Sequence, residues 1–166
     1  MESKVIKYSE KVLGSKKITE EAIKGIAELS IPNNNYCDFI FLSEEEGALE
    51  EIKIKDEEYY IIGRDIFHNK LVLNSLGEVY IYSEKNKIIT FVNSSLKMLI
   101  ESMQIGIKMN YDSDTSLYKV NMQQIENFED ELRKIDSKAL EDENNYWIYE
   151  IESLVKLVWL LTEKKH

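Results

Sequence analysis

A chain of 166 residues, 43% of them hydrophobic, is long enough to bury roughly two-thirds or more of its unfolded surface in one core, and needs no staple. Its 21 Lys plus Arg against 31 Asp plus Glu give a net charge of -10, which opposes the counterion chemistry of nucleic-acid binding and is repelled by anionic membranes, so neither is expected as a direct partner. Cys37 is the only cysteine, which excludes an intramolecular disulfide and a cysteine-based zinc site; with no signal-like apolar core and no run of about 20 apolar residues, the expectation is a cytoplasmic protein with one domain over 1–166.

Along the chain, ITEEAIKGIAEL sets Ile18, Ala22, Ile26 and Leu29 on one helical stripe, with Thr19 placed to cap it and Glu20 and Glu21 suited to the positive helix start. The helix must stop before Pro32, and PNNN reads as a turn. Between Cys37 and Val92 six short segments rich in Ile, Val, Tyr and Phe (CDFIFL, EIKIK, EYYIIG, KLVLN, EVYIY, KIITFV) predict strands. Their short connections suit hairpins and an antiparallel meander. Both faces of the middle strands are apolar or aromatic, so the helices that follow are expected to cover part of the second face. Three are predicted: SLKMLIESMQIGIKM, residues 119–135, and residues 146–164. The fold class is therefore α+β, an antiparallel sheet of about six strands in a meander flanked by an N-terminal helix and about three C-terminal helices.

Motifs of chemistry fail one by one. Ser94 and Lys97 satisfy S-x-x-K, but the companion S-D-N and K-T-G are absent, and Asn93, Ser94 and Ser95 between a strand and a helix read as capping residues. Asp112, Asp114 and Ser116 begin like a calcium loop, yet Leu117 and Gln123 stand where it requires Gly and Glu. His68 lacks a second nitrogen ligand or base, the other histidine being the terminal His166, and no phosphate-binding glycine loop, nucleophile elbow or H-E-x-x-H occurs. No catalytic, cofactor or metal site is predicted. The acids are unevenly spread: residues 44–58 hold eight acids and two bases, and 126–143 eight acids and three bases, so a basic partner would be drawn to those stretches. Tyr59, Tyr60, Tyr80 and Tyr82 read as sheet packing, or more sharply as an amphipathic protein-binding surface.

Five segments resemble the SUKH superfamily, which includes bacterial immunity proteins and a yeast cell-wall-synthesis regulator. Leu29, Ser30, Ile31 and Pro32 stand where the family has a G-L-P turn, with Ser30 in place of Gly. EYYIIGRD is similar to a strand ending in Gly63 and Asp65, and LVLNSLGEVY to a hairpin with Asn74, Gly77 and Val79. FVNSSL entering a helix resembles one immunity subgroup, as does the stretch with Ile135, Asp136, Ala139, Leu140 and Trp147. The resemblance implies a non-enzymatic immunity protein of a bacterial polymorphic toxin system, which binds and neutralises a cognate toxin, often a nuclease, by occlusion. A regulatory scaffold or adaptor for an endogenous protein is the alternative. The partner-binding candidates are Glu44, Glu45, Glu46, Asp56, Glu57, Glu58, Asp65 and His68, with Tyr59 and Tyr80 as aromatic support.

Overall fold

A computed structural model describes residues 5–32, 39–111 and 120–163. Cys37, the calcium-like rhythm at 112–116 and His166 lie outside the described residues.

The six expected strands form one sheet: β3 (Phe39–Phe41), β4 (Glu51–Ile54), β5 (Glu57–Asp65), β6 (Lys70–Leu73), β7 (Val79–Ser83) and β8 (Ile88–Asn93). Strands β4 to β8 make the antiparallel meander, and β3 pairs with the far end of β5, on the same edge that β4 occupies at its start. The expected helices are α2 (Glu20–Ala27), α3 (Leu96–Tyr111), α4 (Met122–Ile135) and α5 (Tyr146–Glu163). Thr19 caps α2, its side chain accepting from the Ala22 N–H.

Three small elements carry no sequence period long enough to be read: α1 (Glu10–Gly14), capped by Ser9, and a two-stranded sheet of β1 (Val5–Ile6) with β2 (Ile31–Pro32). They matter to the core all the same. Leu13 and Ile31 are wholly buried, and the Tyr8 hydroxyl donates to the Leu42 carbonyl at 2.8 Å. Burial and the nearby Glu44 and Glu46 carboxylates push that phenol above its ordinary range.

Two glycines explain their own motifs. Gly63 follows a bulge in β5, and a side chain there would run into the Ile40 carbonyl of β3, so the edge pairing needs hydrogen at that position. Gly77 has φ +81, and a Cβ on it would lie 2.8 Å from the Ala22 Cβ of α2. Asn74 closes the same loop by accepting from the Leu76 and Glu78 N–H groups, while Thr19 N–H donates to the Ser75 carbonyl and ties α2 down on it.

The two faces of the sheet are treated differently. Tyr60, Ile62, Leu71, Leu73, Val79, Ile81 and Val92 enter the main core, and the apolar sides of the helices join them there. Ile54, Tyr59, Val72 and Tyr82, with Ile52, Ile61, Tyr80 and Ile89 at their margin, form a separate cluster built from strand residues alone. The expectation that helices cover part of that second face is thus corrected among the described residues. Its side chains mostly cover one another instead, Tyr80 meeting Tyr59 and Phe91 edge to face at 5.7 and 5.4 Å between centroids, while Lys138, from the 3-10 turn Ser137–Leu140 after α4, lays its ammonium 4.8 Å over Phe91.

Candidate partner-binding surface

The residues of the FVNSSL segment and of the Asp136 to Trp147 segment meet in one buried network. Asp136, 4% exposed, accepts from the Asn93 side-chain amide at 3.1 Å, the Ser94 N–H at 2.7 Å and the Ser94 hydroxyl at 2.9 Å. The Trp147 indole donates to Asn93 Oδ1 at 2.9 Å. Ser95 accepts from the Met98 N–H and caps α3. The S-x-x-K pair therefore has no activated serine: the Ser94 hydroxyl donates a hydrogen bond to a carboxylate that ties the end of α4 to the end of β8, and Ser95 is a helix cap. Every buried side-chain nitrogen and oxygen among the described residues is satisfied, which is the condition under which a buried polar network rigidifies a core.

The candidate residues do not form one surface. Glu44 to Glu46 make a 3-10 turn after β3 in which Glu44 accepts from the Ser9 N–H and Glu46 from the Ser43 N–H, leaving Glu45 exposed. Asp56 is at the exposed β4–β5 turn, and Glu58 pairs with Lys17. Glu57, Tyr59 and Tyr80 do come together on the second sheet face. Tyr59 donates to Glu57 at 3.0 Å, and burial followed by that bond pushes its hydroxyl up to about 12. Tyr80 donates to Glu78 at 2.9 Å and is likewise raised, by burial first. Glu78 is the hub: burial alone would raise its carboxyl, but Lys138, Tyr80 and Asn74 all donate to it and hold it below the usual range.

Asp65 and His68 share the β5–β6 turn. The Asp65 carboxylate accepts from the Phe67 and Asn69 N–H groups and from the Asn69 amide, so it shapes the turn. Arg64 donates to His68 Nδ1 at 2.8 Å, with His68 itself at φ 65. That turn raises Phe67, 76% exposed, beside the start of α5, where Tyr149 is 65% exposed. Between them opens a cleft of ≈ 430 Å³ with Ile81 and Thr90 in its lining and Glu143 and Glu150 at the α5 side. Sequence reasoning named Asp65 and, within the 126–143 stretch, included Glu143, but passed over Phe67 and Tyr149. The available signals were Ile66 and Phe67, two apolar residues in a turn, and the EDENN run just before a helix.

A family model described as the SUKH-4 immunity protein matches residues 28–153. The chain belongs to the SUKH-4 immunity protein family. The match covers all five resembling segments whole, and membership carries an immunity role in general, in a family that is non-enzymatic as a rule. Neither a curated protein nor a solved structure matches the chain. In this SUKH-4 chain, Asn93, Asp136 and Trp147 lie inside the matched region and are buried, with Ser94 at the edge of the network partly exposed, so these residues serve the fold first.

Proposed function

We propose that this SUKH-4 protein is the cytoplasmic antidote to a bacterial toxin, binding it and covering its working surface without performing chemistry on it. Family membership carries the reading, and charge supports the physical route. The exposed acids of residues 44–58 and 126–143, among them Glu45, Asp56, Glu57, Asp130, Glu141 and Glu143, suit a basic toxin surface such as a nuclease cleft, and would speed encounter by steering. The clefts support a binding role over catalysis. In the one of ≈ 500 Å³ between α2 and the start of α3, Glu78 is held ionised by its donors and Ser94 is hydrogen-bonded to Asp136, so neither is poised as a base or a nucleophile.

The test is titration of this protein against the toxin domain encoded beside its gene, at low and at high salt, with toxin activity followed in parallel. The expected outcome is tight binding that weakens with salt and abolishes toxicity. Absence of binding, with capture of a host protein instead, would sink the immunity reading in favour of a scaffold.

A further inference from the structure

We infer that the cleft between the β5–β6 turn and the start of α5 is the pocket for an arginine side chain projecting from the toxin; this rests on the immunity reading above and names the surface it leaves open. Three observations converge on it. Its charged lining is all of one sign, Asp65, Glu143 and Glu150, whereas two other clefts mix signs, Glu21 and Glu78 with Lys97 in one and Lys108 with Glu131 in the other. Its rim is aromatic and exposed, with Phe67 on one element and Tyr149 on another. Both walls are preorganised: the Asp65 carboxylate fixes the turn that lifts Phe67, and Asp142 accepts from the Asn144 N–H and side chain to fix the loop carrying Glu143.

Arginine fits these features better than lysine. A guanidinium is planar and weakly hydrated, stacks on aromatic faces and meets carboxylates with two N–H groups at once, while an ammonium is a compact hydrated charge that uses neither the rings nor the fork. Tyr146 at the cleft wall is itself steadied by rings, Phe39 at 5.2 Å and Trp147 at 5.0 Å, so the aromatic side of the pocket is tied to the core. Around the pocket, Ile66 at 51% exposure and Ile88 at 56%, the latter on the same face of β8 as Thr90, offer the apolar margin that excludes water from a central anchor. An arginine that normally faces phosphate on a nuclease is the group such an occluding protein would engage.

The experiment is calorimetric titration of the full-length protein and its variants with the toxin domain encoded beside the gene, together with an amide-shift titration using the tripeptide Gly-Arg-Gly. Phe67→Ser, Tyr149→Ser and Glu143→Lys alter exposed side chains, so their unfolding midpoints should stay at the wild-type value and any loss reports on binding. Each is expected to weaken toxin binding by about 30-fold or more, while Glu45→Lys, which removes only long-range steering charge away from the cleft, costs about threefold or less. Gly-Arg-Gly should shift the amides of Phe67, Thr90 and Tyr146 to Glu150, and Gly-Glu-Gly should not. If the wild type binds and Glu45→Lys is the damaging change, with the cleft variants unaffected, the pocket assignment is overturned and the immunity reading stands. If the wild type does not bind the toxin, both fall.

Discussion

Asp136 and Glu143 are seven residues apart and serve opposite ends. Asp136 is turned inward and its carboxylate joins the end of α4 to the end of β8 and the Ser94 turn that follows it; Glu143 is turned outward at the lip of a cleft, next to exposed Tyr149. The contrast separates two uses of acid in a chain that has a surplus of it. An internal carboxylate with three donors specifies the fold and is lost to any partner; an external one beside aromatic rings is available to a partner and specifies little of the fold. The family-like residues Asn93, Asp136 and Trp147 belong to the inward side of that contrast, and Glu143, in the same family-like stretch as Asp136, to the outward side.

The sharpest way to break the contrast is at Asp136. Asp136→Ala strands the Asn93 amide and the Ser94 N–H in the core, and should cost about 3 kcal/mol or more of folding stability in urea denaturation. A loss under about 1 kcal/mol would mean the network does not hold the helices to the sheet.

Gly63→Ala should follow, at about 2 kcal/mol, because its new methyl must push the Ile40 carbonyl out of the β3–β5 pairing. A normal midpoint for this variant would show that β3 is dispensable to the sheet.

A smaller effect belongs to Glu78 and is read as a function of pH. Its folded pKa is held below the ordinary 4.5, so the folded state binds fewer protons than the unfolded chain there. The stabilisation is fully present above about 4.5 and is lost as pH falls through the depressed folded value. The stability gap between wild type and Glu78→Gln should therefore be constant near neutrality and close on acidification. Tyr59 gives the alkaline counterpart with the opposite sign: raised from 10.0 to about 12, it contributes below 10 and loses that contribution as pH climbs through about 12, so Tyr59→Phe should narrow its difference from wild type there.

Smallest of all for stability is the cleft. Phe67→Ser and Tyr149→Ser should shift the folding free energy by no more than about 0.5 kcal/mol, since surface positions outside caps and cores rarely do more. An inward change that unfolds without touching affinity per folded molecule, set against an outward change that spoils affinity without unfolding, would complete the separation.

The sequence by itself determined the six strands, the four longer helices, the Thr19 cap and the family, because period-two alternation, period-three-and-four stripes and capping residues are local signals that survive without neighbours. It could not reveal α1, β1 or β2, whose few residues are held by long-range partners such as Val5 with Pro32. Nor could it say which acids are already engaged: Glu44 and Glu46 cap backbone, Asp65 shapes a turn and Asp136 is buried, all decided by groups from elsewhere along the fold or from the local turn. Tertiary structure alone put the apolar sides of α2, α3, α4 and α5 in the main core on one side of the sheet and brought Phe67 to the same cleft as Tyr149, eighty-two positions along the chain. A side chain's chemistry is written at its own position, but its availability depends on what the fold packs against it.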